Sequence, residues 1–217
     1  MTTLTVVTAC WGEDYAGFIP KWFEGYNRLN RKPDELILGI GKGDPTGLSG
    51  YAPDEAKVVE VPEGQLSVKW DYLIRQATCE WFSYMPIDDE PLPGAYDEID
   101  LTDGFDVYVD SIVAKHGGYT SKGEWQPEAL IRGLIAPGFV PMRLDLYKQI
   151  GLKHDYKWFD WILQVDMVKL GAKPFMANTT RMIWDEGIDR KTYSSKRNDY
   201  YDAEYEKAAE YARANGF

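Results

Sequence analysis

Two places in the sequence put acidic side chains where chemistry can use them. The first is Trp81-Phe-Ser-Tyr-Met-Pro-Ile-Asp-Asp-Glu-Pro91, an apolar run that ends in Asp88, Asp89 and Glu90 and then meets a proline. Adjacent carboxylates repel one another, and in a partly buried setting a shared divalent cation with a preference for hard oxygen ligands relieves that repulsion. Taken alone, the cluster also reads as a solvated acidic turn ahead of Pro91 and Pro93. The second place is Lys157-Trp-Phe-Asp-Trp-Ile162, where Asp160 sits among Trp158, Phe159 and Trp161 at the start of a helical pattern. Apolar surroundings raise a carboxyl pKa toward that of a useful general base. The rings there suit stacking on a sugar, and the competing reading is an ordinary N-terminal helix carboxylate favoured by the helix dipole.

Other chemistries have little material. Only two histidines, His116 and His154, and two cysteines, Cys10 and Cys79, occur in 217 residues, too few and too scattered for a zinc site or a histidine-based triad. No phosphate-binding P-loop, G-x-S-x-G elbow or metalloprotease helix is present. Gly39-x-Gly41-x-Gly43 follows a strand but runs into Asp44-Pro45 without opening a helix, so it reads as a turn. Acid–base work therefore falls on Asp and Glu.

The elements that must position these acids alternate. Leu4–Cys10 reads as a buried strand, and Ile19, Trp22, Phe23, Tyr26 and Leu29 fall at helical spacing behind Pro20. Glu35–Ile40 and Lys57–Val61 are strands, and Leu66, Trp70, Leu73, Ile74 and Ala77 form the apolar stripe of a helix. A strand from Trp81 to Ile87 follows and delivers Asp88 to its carboxyl end. Such alternation predicts an α/β fold, a mixed and mostly parallel sheet flanked by helices, with ligands at the carboxyl ends of the strands. Further on, Phe105–Val113 is a strand candidate, and Leu144–Ile150 and Phe159–Leu170 are helices closed by Gly151 and Gly171. Tyr201–Ala214 is a closing helix. The loop-rich Gly117–Gly138 stretch fits a rim over a site or a plain surface connection equally.

Composition sets the outer limits. Hydrophobic residues make up 44%, with eight Trp and fifteen Tyr, which excludes wholesale disorder. No window reaches the roughly 18 uninterrupted apolar residues of a membrane span, and no secretory signal is visible at the start, so the expectation is a cytoplasmic protein. The net charge of −11 argues against extended nucleic-acid binding, with Arg190-Lys191 and Lys196-Arg197 as the only basic pairs singled out. The expected organisation is one domain over 1–217, with a first half at 1–100, a second at 101–190 and a tail at 191–217.

Taken in order, these features resemble the family 2-like nucleotide-sugar glycosyltransferases of the GT-A fold, from Leu4 to about Gly187. The resemblance rests on the opening strand and helix, the amphipathic helix leading to a strand that ends in the D-x-D-like Asp88-Asp89-Glu90, the Pro137–Arg143 and Tyr147–Gly151 segments, Asp160-Trp161, and the succession of helix, glycine and strand from Val165 to Met176. It makes 1–100 the donor half and 101–190 the acceptor half. It implies a metal-dependent transfer of a sugar from a nucleotide diphosphate sugar, UDP-linked by preference, to a hydroxyl with inversion. Asp88 and Glu90 would hold Mg²⁺ or Mn²⁺ against the diphosphate, and Asp160 would deprotonate the acceptor. Thr8, Asp44, Asp71 and Asp89 would contact the donor, and Asp185 stands where many relatives place a metal-binding histidine. The acceptor is open among glycan, protein, lipid-linked sugar and modified nucleobase. A metal-dependent nucleotidyltransferase or phosphohydrolase, or a silent sugar-binding module of the same fold, are the competing readings.

Overall fold

The computed structural model describes residues 1–114, 120–122, 124–132, 134, 136, 139–184 and 199–217. Among the described residues nine strands form a single sheet in the order β3-β2-β1-β4-β8-β6-β9-β5, with β7 on β6. The first four are β1 (Leu4–Cys10), β2 (Glu35–Ile40), β3 (Lys57–Glu60) and β4 (Trp81–Tyr84), all parallel. Their crossovers carry α1 (Ile19–Arg28) and α2 (Leu66–Ile74). The short β5 (Glu90–Pro91) comes next, then β6 (Val107–Ala114), β7 (Thr120–Lys122) and β8 (Met142–Arg143), after which come α3 (Leu144–Ile150) and α4 (Phe159–Lys169). Strand β9 (Pro174–Trp184) and helix α5 (Asp199–Ala214) close the chain. Strand β6 pairs parallel with β9 and antiparallel with β7 and β8, while β4 with β8 and β5 with β9 are antiparallel. The sheet is therefore mixed, with its parallel pairs carrying most of the register.

Strand β1 is buried at every residue because both faces of the sheet are covered. Alternate side chains go to different cores: Leu4, Val6 and Cys10 pack with α1, while Val7 and Ala9 pack with α2. A third cluster joins Trp161, Ile162 and Val165 of α4 to Ala208, Ala209 and Ala212 of α5. The helix stops follow the local chemistry. Gly151 and Gly171 take positive φ, of 65° and 73°, a conformation costly for a residue with a Cβ.

Two boundaries differ from the sequence reading in ways that matter for the acids. Strand β4 ends at Tyr84, since Pro86 cannot donate to a sheet ladder, so Asp88 and Asp89 lie in a turn closed by Asp89 N donating to Pro86 O at 3.2 Å. Residues 90–91 then form an edge strand on Met182 and Ile183 of β9. Strand β9 itself runs eleven residues, well past the Met176 limit of the sequence pattern. The described helices include none long and apolar enough to cross a membrane.

Candidate active site

The acidic turn is held down by α1. Lys21, Gly25 and Arg28 share one face of that helix at i, i+4 and i+7 spacing. Gly25 forms the floor: a Cβ there would lie 2.7 Å from Pro91 O and 2.8 Å from Pro91 Cδ, so only glycine lets β5 lie directly on the helix. The flanking cations grip Glu90, with Lys21 Nζ 2.7 Å from Oε2 and Arg28 Nη2 2.6 Å from Oε1. Burial raises the Glu90 pKa, but the hydrogen bonds and charges of Lys21 and Arg28 outweigh it and leave the carboxyl below its ordinary value. Both Glu90 oxygens thus face α1. The sequence signal for this groove was present as Lys21-x-x-x-Gly25-x-x-Arg28 and went unread, because nothing local says which strand will fill it.

Asp88 and Asp89 line a small pocket with Glu90, closed by Phe18, Lys21 and Trp22 on one side and by Ile87 and Ile183 on the other. Asp88 is partly buried and Asp89 is 5% exposed. Their fields identify their neighbours. Burial raises the Tyr84 hydroxyl well above its ordinary value, and the charges of Asp88, Asp89 and Asp160 add to that rise. Burial likewise raises the Cys10 thiol at the end of β1, against a hydrogen bond with Thr46 and with help from Asp44 and Asp88. The carboxyl ends of β1 and β4 and the start of α4 therefore lie near one another and define the candidate cleft.

Asp160 is set in that cleft by the first turn of α4. Its Oδ1 accepts from Trp161 N at 2.9 Å, and no cation neutralises it among the described contacts. Burial pushes it up to about 6, against the hydrogen bonds from its own and the Trp161 backbone. A run of ring contacts forms an aromatic wall that ends at Phe159, the residue before Asp160. Trp70 meets Tyr84 at 3.8 Å between centroids, Tyr84 meets Phe139 at 5.0 Å, and Phe139 meets Phe159 at 5.6 Å. At the far end Trp11 packs on Trp70 at 5.2 Å beneath the Lys69 ammonium.

The remaining sequence candidates fall in different places. Asp44 has φ +50° and accepts from Leu48 N, Ser49 N and Ser49 Oγ at 3.1, 2.9 and 2.5 Å, so its carboxylate folds its own loop. Burial raises its pKa, but those bonds prevail and lower it. Thr46 Oγ1 ties that loop to Cys10 O at 3.1 Å. Thr8 is fully buried, and its Oγ1 has no hydrogen-bond partner among the described residues. Asp71 accepts from Tyr147 Oη at 2.8 Å and Arg75 Nε at 2.9 Å, with His154 Nε2 at 3.8 Å, which clamps α2 to α3 and the loop after it. Asp185, the Arg190-Lys191 and Lys196-Arg197 pairs and part of the Gly117–Gly138 rim lie outside the described residues.

Among the described residues no group of three His, Cys, Asp or Glu side chains is assembled to hold a metal ion. The adjacent Asp88 and Asp89 nonetheless suit Mg²⁺ or Mn²⁺ by donor type, since Mg²⁺ bound beside phosphates typically takes one or two protein carboxylates and completes its shell with phosphate oxygens and water.

No family model matches the sequence, and neither does any curated protein. The fold, in contrast, is shared with solved structures. Residues 1–349 of TarS from S. aureus, in complex with UDP-GlcNAc, superpose with a TM-score of 0.71 at 10% identity, covering 98% of this chain and 66% of that one. Glucosyl-3-phosphoglycerate synthase from Mycobacterium tuberculosis, in complex with Mn²⁺, UDP and phosphoglyceric acid, gives 0.62 at 14% identity, covering 99% and 78%. Mannosyltransferase PcManGT from Pyrobaculum calidifontis, in complex with GDP-Man and Mn²⁺, gives 0.60 at 12%, covering 99% and 74%. The chain spans 37% of another TarS structure, with which the TM-score is 0.63. The architecture is that of the GT-A glycosyltransferases.

Proposed function

We propose that the protein is an inverting, metal-dependent glycosyltransferase that moves a sugar from a nucleoside diphosphate donor, UDP-linked by preference, to a hydroxyl acceptor. The observation that carries this reading is the chain of ring contacts from Tyr84 through Phe139 to Phe159, which joins the strand end before the acidic turn to the residue before Asp160, whose carboxyl is raised to about 6. Solved neighbours of the same fold, bound to UDP-GlcNAc or to GDP-Man with Mn²⁺, support the choice of donor class.

In this reading Asp88 and Asp89 would hold a divalent cation beside the donor diphosphate. When bound, that cation neutralises the charge that develops on the leaving group. Glu90, gripped by Lys21 and Arg28, serves as the anchor that keeps the turn in place, a role its geometry suits better than direct metal binding. Asp160 takes the proton from the acceptor hydroxyl on Oδ2, since Oδ1 is held by Trp161 N. The freed acceptor oxygen attacks the anomeric carbon as its bond to the diphosphate breaks on the opposite face, which inverts that centre. Trp158 and Phe159, both partly exposed, keep water from competing with the acceptor and supply aromatic surface for a sugar, while Trp161 is buried against α5.

The test is release of nucleoside diphosphate from a panel of UDP-, GDP- and dTDP-sugars with and without Mn²⁺. Turnover of at least one donor, dependent on metal and lowered about a thousandfold or more in Asp88→Ala, is expected. Transfer of the nucleotide moiety in place of the sugar would point to a nucleotidyltransferase. Binding and turnover of no donor would sink the proposal.

A further inference from the structure

The proposed reaction leaves one buried charge pair without a task. Arg181 in β9 and Asp110 in β6 are fully buried, with Nε and Oδ2 3.0 Å apart. Burial pushes Asp110 up to about 7 in spite of the neighbouring guanidinium. Taking both ions out of water costs several kcal/mol each, and an apolar pair of similar volume is often as stable or more so. Stability alone is therefore a poor reason for the pair.

The other contacts of the guanidinium are more informative. Nη1 donates to Phe139 O at 2.5 Å and reaches Tyr84 O at 3.4 Å and Ser83 Oγ at 3.5 Å. Tyr96 Oη donates to the same Ser83 Oγ at 2.9 Å. Tyr84 ends β4 just before the acidic turn, and the Phe139 ring packs against both Tyr84 and Phe159, the residue before Asp160. One planar cation thus ties two carbonyls, one behind the donor-side acids and one in the wall of Asp160. Gln164, one helical turn beyond Asp160, holds the same connection from the other side: its Nε2 donates to Ala136 O at 3.0 Å and its Oε1 accepts from Ala136 N at 3.2 Å.

We propose that Arg181, held by Asp110, is a positioning residue that joins the end of β4 to the aromatic wall of Asp160 and so sets the geometry between the donor carboxylates and the acceptor base. This rests on the reading of Asp160 as that base. A lysine offers a single compact charge in place of the planar fork and cannot span Asp110 and both carbonyls together.

The test uses the full chain and two variants. Asp110→Leu/Arg181→Met removes both charges with apolar side chains and is expected to fold, which thermal melting checks. Arg181→Lys keeps the charge, loses the fork, and carries the same test if the double variant does not fold. In each, the Asp160 carboxyl carbon is titrated by ¹³C NMR, its signal assigned by its loss in Asp160→Asn. The midpoint is expected to fall by about one unit from the wild-type value as the Phe139 wall loosens and water reaches the carboxylate. An unchanged midpoint in a folded variant overturns the proposal. With a donor that turns over, kcat is expected to fall about tenfold while the donor KM moves by less than about twofold. A raised KM with intact kcat would count against positioning. If the wild type turns over no donor, the glycosyl-transfer reading fails, yet the titration still decides the role of Arg181.

Discussion

The two acidic regions of the cleft are built in opposite ways. Glu90 sits between two cations on α1, which outweigh its burial and hold it ionised below its ordinary range. Asp160 follows Phe159 of the aromatic wall, and among the described residues no cation offsets its burial, which raises it to about 6. The same functional group is held ionised in one place and raised toward neutrality in the other, by what stands next to it. Asp88 and Asp89 lie between these extremes, in a turn whose position is fixed by the Glu90 anchor and whose field reaches Tyr84.

The largest expected effect comes from erasing the base. Asp160→Asn should lower kcat by about a hundredfold to ten-thousandfold while nucleotide-sugar binding survives, measured by turnover and by calorimetry. In the wild type kcat/KM should rise as pH increases through about 6, because the base acts only when deprotonated, and that limb should vanish in Asp160→Asn. Next comes the floor of the anchor. Helix propensity alone would favour Gly25→Ala by about 1 kcal/mol. The Cβ clash with the Pro91 backbone should reverse the sign and give a net loss of about 1–2 kcal/mol in chemical denaturation, so a stabilised variant would show that β5 is not pinned there.

Glu90→Gln separates the anchor from a metal ligand. It should cost on the order of 1 kcal/mol of stability, since Lys21 and Arg28 are half exposed, and should leave Mn²⁺ affinity, followed by electron paramagnetic resonance, within about threefold. A tenfold or greater loss of Mn²⁺ binding would return Glu90 to the metal. The smallest effect is on stability against pH. Asp160 binds its proton more tightly folded than unfolded, where its pKa is about 3.9, so stability is lost as pH rises from about 4 to about 6. Asp160→Asn lacks that loss. It should match the wild type at pH 4 and exceed it by on the order of 1 kcal/mol at pH 7.

Much of the N-terminal half was legible because its elements are local. The spacing of Ile19, Trp22, Phe23 and Tyr26 and of Leu66, Trp70, Leu73 and Ile74 places α1 and α2 where they are found, and the β-branched runs give β1 to β3. The C-terminal half was less so. The extent of β9 follows from its pairing with β6 and β5, and its stretch Pro174–Trp184 contains Asn178, Thr179, Thr180 and Arg181, which a strand pattern based on apolar runs passes over. Arg181 read locally is a solvated charge; it is buried because Asp110, 71 residues earlier, faces it. Asp44 and Asp71 were nominated for a donor, and the structure shows each already bonded to its own neighbourhood.

By itself the sequence determined the order of the strands and helices in the N-terminal half, the α/β class, and the two places where acidic side chains stand ready for chemistry, Asp88–Glu90 and Asp160. These depend on periodicity and on residue type, which short segments carry intact. Only the tertiary structure decided which carboxylate is lowered and which is raised, because a pKa is set by charges and apolar walls supplied from distant segments. Lys21 and Arg28 come to Glu90 from 62 to 69 positions away, and Tyr84 and Phe139 link two acids separated by 72 positions in the chain. Local pattern fixes where a side chain lies along its element; the packing of elements fixes what surrounds it, and the surroundings set its chemistry.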